Sequence, residues 1–236
     1  VESPYAVSDL GLRSRPAGSQ LGMAQLPDLL ASKKDADGKA TAPKVSSIKT
    51  WESSRRPMLI DSCTHKTFGT VPERGKLECE VLSIDDNALN GTARCKQLRI
   101  FYNDKKNRYL TLLLYTPKGQ GVVPVFLGIN RDGNETVTTD PKLRRADGSE
   151  KSRYGIHRTG TRGQAASEWQ LEELIARGYG LATFCADDAA PDFDNSGVLG
   201  IKPHYGKEFS WGTYAQWAWA LSKAMDYLVS DEDVDA

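Results

Sequence analysis

Hydrolysis by a serine needs a nucleophile on a sharp turn, a histidine that acts as the base and an acid that orients the histidine. On an α/β sheet that turn carries the pattern Gly-x-Ser-x-Gly, because larger flanking side chains do not fit the bend. The pattern does not occur here: the nearest stretch, Asn195-Ser196-Gly197, has Asp194 and Val198 where glycines are required. We therefore predict no catalytic residue in this chain.

The other acids and bases carry no clear catalytic signature. None of the three histidines, His65, His157 and His204, has a sequence context that marks a general base, and loop or surface positions are expected for them. Asp187 and Asp188 follow a predicted strand, where they are either paired acids or turn-forming and helix-capping carboxylates.

The sequence predicts no metal site and no cofactor. The four cysteines form no Cys-x-x-Cys pair and have no histidine at metal-ligand spacing. Gly178-Tyr179-Gly180 lacks the third glycine of a dinucleotide fingerprint, and there is no phosphate loop. Cys79 and Cys95 lie in two strand-like runs joined by a short turn, so a cross-strand disulfide and buried free thiols both stay open.

Charge and hydropathy exclude several kinds of partner. Lysine plus arginine and aspartate plus glutamate both total 31, so the net charge is zero and neither nucleic acid nor an anionic membrane is expected. The apolar runs are far shorter than the ~18 residues that a membrane helix needs. The chain begins at Val1 with no apolar leader, which suits a mature secreted protein or a shortened one.

The first predicted elements follow an irregular lead-in over residues 1–48, which is rich in polar residues, proline and glycine. A helix is expected from Pro57 to a stop at Gly69. Apolar runs between turn signals then predict three antiparallel strands, over residues 77–84, 93–102 and 109–115.

A strand–helix–strand unit is predicted next. The continuous apolar run over residues 122–130 is typical of a central strand that is covered on both faces. A surface loop over 137–166 precedes a helix, which starts with the capping box Ser167–Gln170 and stops at Gly178. Residues 181–185 form the second parallel strand, so the fold class is α/β.

The last stretch predicts a long buried helix from Trp211, an acidic loop over 231–233, and the start of another central strand at Val234. The helical period separates an expected apolar face from an expected polar face. The apolar face comprises Tyr214, Trp217, Leu221, Ala224, Met225 and Leu228, and the polar face comprises Gln216, Ser222, Lys223 and Asp226.

The polar residues that follow the central strand are the candidate site. Ligands of open α/β sheets bind beyond the carboxyl ends of the strands. Asn130, Arg131 and Asn134 lie at such an end, and we predict them to bind substrate. A purely structural turn is the alternative interpretation.

A set of short blocks, in order from Leu26 to Ala236, resembles the bacterial branch of the family-15 carbohydrate esterases. These are glucuronoyl esterases with an α/β-hydrolase fold. The blocks are Trp51 with Arg55-Arg56-Pro57, Phe68-Gly69-Thr70-Val71-Pro72, Pro124–Asn130 with Gly133-Asn134, Glu172–Tyr179, Trp211-Gly212-Thr213, Trp217-Ala218-Trp219 and Asp226-Tyr227-Leu228.

The resemblance implies a three-layer α/β-hydrolase sandwich, of which residues 49–236 are the N-terminal half, with a leading antiparallel portion, ending before the nucleophile elbow. It implies a secreted serine esterase that cleaves the ester between a glucuronic acid of glucuronoxylan and a lignin alcohol. The nucleophile, acid and histidine of the family would follow Ala236, so the missing C-terminal half is an expected partner of this chain.

The resemblance also implies a role for the candidate loop. In α/β-hydrolases a backbone N–H from the loop after the third strand often contributes to the oxyanion hole, and Asn130 to Asn134 occupies the corresponding place. The family has Gly-Asn-His where this chain has Gly133-Asn134-Glu135, which leaves a role for Glu135 open.

Two other functions remain open: an acetyl xylan esterase-like carbohydrate esterase, and a non-catalytic carbohydrate-binding remnant, which the absence of an elbow favours. We also expect residues 1–236 alone to be inactive and poorly folded. The strands that end near Asn130 and Cys185 would lack a neighbour. Large side chains of the last helix would lose cover, namely Trp217, Trp219, Leu221 and Met225.

Overall fold

The computed structural model describes residues 30, 37, 44–103, 106, 108–143, 160–192 and 200–235. The chain divides into two compact units, residues 1–60 and 61–236. In the first unit, the N–H of Val45 donates to the carbonyl of Leu30, and Ser47 caps the first helix. Within the described residues, no helix is both long and apolar enough to cross a membrane.

The chain is continuously helical from Ile48 to Phe68. The run comprises α1 (Ile48–Thr50), a π-helical turn (Trp51–Arg55), α2 (Arg56–Cys63) and a second π-helical turn (Thr64–Phe68). It ends at Gly69, which has a φ of 82° and whose Cα lies against the backbone of Ser210, so the predicted stop is confirmed. The helix begins earlier than Pro57, because a proline in the first turn is tolerated but does not by itself start a helix.

Five strands form one sheet in the order β1-β2-β3-β5-β4. β4 and β5 are parallel and β1, β2 and β3 are antiparallel, as the sequence predicted, whereas the antiparallel pairing of β3 with β5 was not predicted. The strands are β1 (Cys79–Asn87), β2 (Ala93–Phe101), β3 (Tyr109–Pro117), β4 (Val125–Asn130) and β5 (Gly180–Cys185).

The strand register excludes a disulfide between Cys79 and Cys95. Cys79 lies opposite Ile100, whereas Cys95 lies opposite Asp85 at the other end of the same strand pair. At about 3.3 Å per residue the two sulfurs are far beyond bonding distance. Both residues are free thiols, and burial raises the pKa of Cys95 to about 12.

The connection from β4 to β5 contains two short helices, α4 (Ala166–Trp169) and α5 (Leu171–Ala176), where one helix was predicted. Gln170 separates them in the left-handed region, with a φ of 48°. The capping box was wrong: Ser167 lies inside α4, and neither helix has a side-chain cap. A glycine, Gly178, follows the second helix with a φ of 84°, as predicted.

The last helix, α6 (Thr213–Leu228), is present, but its faces differ from the prediction. Gln216 and Lys223 are buried, whereas Tyr214 is 73% exposed and Met225 is 47% exposed. Gln216 accepts a hydrogen bond from the N–H of Lys202, and Lys223 donates to the carbonyl of Lys76. These distant partners satisfy the two polar groups and make their burial possible.

Two hydrophobic clusters cover the two faces of the sheet and give three layers. In β3, Leu112 and Leu114 pack in the cluster that contains α6, whereas Leu113 and Tyr115 pack in the cluster that contains Leu171 and Ile175 of α5. Alternate residues of a strand point to opposite faces, so α5 and α6 lie on opposite sides of the sheet.

Within the described residues, β1 and β4 are the two outer strands of the sheet, and β4 is only partly buried, whereas a central strand covered on both faces was predicted. Val234 forms an isolated parallel bridge with Val123, two residues before β4, at the place where a new strand was predicted to begin. The expectation that β5 would also lack a neighbour was wrong, because β5 pairs with β3 on one side and β4 on the other. Trp219 is also well covered, with 4% of its surface exposed.

Candidate functional site

The candidate site lies where the two parallel strands end. Asn130, at the end of β4, lies opposite Cys185, at the end of β5. The loops that follow the two strands therefore meet at one edge of the sheet. The first loop runs over residues 131–139, and the second begins with a 3-10 turn, Ala186–Asp188. Such an edge is where open α/β sheets bind ligands.

Asn130 is buried and uses its whole amide to hold this edge together. Its Nδ2 donates to Oδ1 of Asn134 at 2.7 Å and to Oγ1 of Thr183, on β5, at 3.1 Å. Its Oδ1 accepts from the N–H of Gly133 at 2.9 Å. The side chain therefore ties the end of β4 to the neighbouring strand and to its own loop.

Asn134 and Asp188 act together on the backbone of Thr111. The ladder between β3 and β5 covers only Leu113–Tyr115, so Thr111 lies beyond it. Asn134 Nδ2 donates to the carbonyl of Thr111 at 2.9 Å, and Asp188 Oδ2 accepts from its N–H at 2.8 Å. Two side chains thus provide the hydrogen bonds that another strand would provide, and they connect β3 to the loops after β4 and β5.

The backbone N–H groups of the turn between Asn130 and Asn134 are the candidate donors of the site. Arg131 is exposed, and its carbonyl accepts a contact from Cys185 Sγ at 3.5 Å. Among the residues that the structure describes, none accepts a hydrogen bond from the N–H of Arg131 or of Asp132. Gly133 has a φ of 111°, and a Cβ there would lie 2.7 Å from Oε2 of Glu135, so this turn requires glycine.

Residues 160–166 pack along the other side of the loop. The N–H of Gly163 donates to the carbonyl of Glu135 at 3.0 Å, and the N–H of Ala165 donates to the carbonyl of Thr136 at 2.9 Å. The loop is therefore held between the sheet and this segment.

We expect Gly160→Ala to lower the free energy of unfolding by about 1–3 kcal/mol. The added methyl would overlap Cγ2 of Thr136 and lie 2.7 Å from Cβ of Asp132. Urea unfolding measures the loss, and Gly212→Ala is the control, because a Cβ at Gly212 has no neighbour within 4 Å. Equal losses in the two variants would contradict this account of the loop.

The structure places the predicted site residues in two groups. Asn130 and Asn134 come together, but their side chains are buried in the network, whereas the side chain of Arg131 is exposed. Asp188 accepts from the N–H of Thr111 on β3, a contact between distant segments that neither interpretation of this residue predicted. Thr111 and Thr183 were missed, although each is a polar residue in a largely apolar strand, and that signal was available in the sequence.

His204 is the histidine whose side chain the structure describes, and it does not belong to the hydrogen-bond network around Asn130. His204 is exposed and accepts a hydrogen bond from Nε of Arg108 at 2.8 Å. Partial burial and the charge of Arg108 lower the pKa of His204. His157, the stretch around Ser196 and the side chain of His65 lie outside the described residues.

A cavity of about 620 Å³ in the described part of the chain lies beside the turn between β1 and β2, Pro117 and the end of α5, and residues 139–142, at the far end of the loop after β4, also line it. Pro117 and the end of α5 are near the amino ends of β4 and β5, opposite the candidate edge. No group of three or more metal-ligating side chains occurs in the described part of the chain. We therefore base the candidate site on the loop geometry and not on cavity size.

Comparison with known proteins supports the resemblance, although no protein-family model matches the chain. A carbohydrate esterase from an unknown prokaryotic organism is 34% identical over 253 residues, covering 100% of this chain and 57% of that protein. A solved glucuronoyl esterase from Solibacter usitatus is 36% identical, with a TM-score of 0.76, over 89% of this chain and 55% of that one. A promiscuous CE15 esterase from a marine bacterial metagenome is 35% identical, with a TM-score of 0.67, over 89% and 54% of the two chains.

These similarities confirm the resemblance to the family-15 carbohydrate esterases and the α/β-hydrolase fold class. The match covers the N-terminal part of that fold. The chain spans about half the length of the relatives that it matches.

Proposed function

We propose that this chain is the N-terminal part of a secreted serine esterase, which hydrolyses the ester between a glucuronic acid of glucuronoxylan and a lignin alcohol. The similarity to glucuronoyl esterases at 36% identity is the observation that carries the proposal. Within the proposal, the nucleophile, histidine and acid belong to the C-terminal half of the fold, and this half contributes the oxyanion loop.

The bridge between Val123 and Val234 supports this division of roles. A strand that continues from Val234 parallel to β4 would reach the level of Asn130 about seven residues later, since 130 − 123 = 7. A nucleophile on the turn after that strand would therefore lie beside the loop over residues 131–133. The elbow serine and the candidate N–H groups would then meet at one edge of the sheet.

The loop can supply what ester hydrolysis needs from this half of the molecule. Attack on an ester carbonyl places negative charge on the carbonyl oxygen, and preorganised N–H donors stabilise that charge. The N–H groups of Arg131 and Asp132 are such donors in the proposed enzyme. Removing one donor of this kind typically costs about 100-fold to 1000-fold in kcat.

We expect the protein that contains this chain together with the C-terminal half to release benzyl alcohol from a benzyl glucuronate ester. A fluorophosphonate that modifies catalytic serines should abolish the release, and residues 1–236 alone should show none. The measurement is chromatography of the released alcohol, with acetyl xylan as a second substrate. No inhibitor-sensitive release would overturn the proposal, and faster release of acetate would favour an acetyl xylan esterase.

A further inference from the structure

Asn130 has a role that differs from contact with the substrate. The three hydrogen bonds that its side chain forms with described residues are internal: Asn134 and Thr183 accept from Nδ2, and Oδ1 accepts from Gly133. The residue is also 3% exposed, so its amide is not available to a ligand. Its hydrogen bonds therefore stabilise the shape of the loop.

The loop is held on both sides of the two candidate donors. On one side, Asn130 ends β4 and bonds across to β5. On the other side, the N–H of Gly133 is bound to Asn130, and Asn134 is bound to the carbonyl of Thr111 on β3. Arg131 and Asp132 lie between these fixed points, so the backbone that carries their N–H groups is tied to the sheet at both ends.

We infer that Asn130 is a positioning residue for the proposed esterase, which fixes the N–H groups of Arg131 and Asp132 for the developing oxyanion. This inference rests on the proposed function. Donors stabilise a transition state only if they are held in place before the reaction, and a shift of about 1 Å can cost about 100-fold in rate.

The chemistry of the site requires asparagine. A single side chain has to offer two donors, to Asn134 and Thr183, and one acceptor, to Gly133. Aspartate has the same shape but no donor, and its charge would face Oδ1 of Asn134. We therefore expect Asn134 to rotate its amide group and to lose its hydrogen bond to the carbonyl of Thr111. The end of the loop at Asn134 would then no longer be tied to β3.

The test uses Asn130→Asp in the protein that contains both halves. We expect kcat for the glucuronate ester to fall by about 10-fold to 100-fold, while KM changes less than about threefold, because the donors act on the transition state. Hydrogen exchange at the amides of residues 131–137 should rise. The control is Asn87→Asp, the same chemical change at the opposite end of the sheet, where Asn87 accepts from Nζ of Lys118.

Thr183→Val is a second variant, in case Asn130→Asp does not fold. It preserves the shape of the side chain and removes one acceptor of Asn130, so we expect a smaller fall in kcat with KM again unchanged. The inference is overturned if a folded Asn130→Asp retains kcat within about twofold, or if Thr183→Val leaves both kcat and exchange unchanged. An inactive parent protein would overturn the proposed function instead, and the exchange of residues 131–137 would still decide whether Asn130 holds the loop.

Discussion

Replacing Lys96 with methionine is expected to lower the free energy of unfolding by about 3–5 kcal/mol, because it leaves the buried carboxylate of Asp231 without its counter-ion. Lys96 lies on β2, and only 6% of its surface is exposed. Its Nζ is 2.8 Å from Oδ1 of Asp231 and 2.7 Å from Oδ2 of Asp233. Asp231 also accepts from the hydroxyl of Tyr227 at 2.6 Å.

Urea unfolding of the variant and its control measures this effect. Arg177→Met is the control, since it removes an exposed ion pair with Glu173 within one helical turn and should cost less than about 1 kcal/mol. Adding Asp231→Asn to Lys96→Met should recover part of the loss, because one buried charge is then removed. A loss below about 1 kcal/mol in Lys96→Met would show that the cluster is not a stabilising feature.

The pH dependence of stability should follow from the same cluster. Burial by itself raises the pKa of Asp231, but the hydrogen bonds from Lys96, Tyr227 and the N–H of Asp233 outweigh it and hold the pKa below the ordinary 3.8. A lowered folded-state pKa stabilises the protein above the unfolded-state pKa, and this contribution is lost as the pH falls through the folded-state value. In Lys96→Met, the free energy of unfolding should therefore fall less steeply as the pH is lowered through the acid range.

Replacing Trp211 with alanine is the second change with a large expected effect, a loss of about 3–5 kcal/mol in the free energy of unfolding. Trp211 is fully buried, and its ring packs edge-on against Tyr205 at 5.5 Å and Trp219 at 5.7 Å. The cavity left by alanine would lie at the centre of this aromatic cluster, where neighbouring rings relax little.

A matched pair of phenylalanine variants separates packing from hydrogen bonding. Among the described residues, Trp211 Nε1 has no hydrogen-bond partner, whereas Trp219 Nε1 donates to the carbonyl of Pro72 at 2.8 Å. Trp211→Phe removes an unsatisfied donor and should cost less than about 1.5 kcal/mol, and Trp219→Phe should cost more. Urea midpoints give the comparison, and the reverse order would contradict the assignment of these partners.

Local patterns in the sequence predicted the elements of this fold. The apolar run before Asn130 predicted β4, and the residue at which a new strand was predicted to begin, Val234, forms a bridge with Val123. These predictions succeed because helix period, strand burial and turn residues are properties of short segments. The faces of α6 were not predictable in this way, since the burial of Gln216 and Lys223 depends on carbonyl and N–H groups far away in the chain.

The same division applies to the candidate site. The sequence by itself determined that Asn130, Arg131 and Asn134 follow a strand of the α/β sheet, at the kind of edge where open α/β sheets bind ligands. Only the tertiary structure decided that the two asparagines act on the loop and not on a ligand. Their partners, Thr111 and Thr183, come from two other strands, and hydrogen bonds between strands depend on a register that no local pattern specifies.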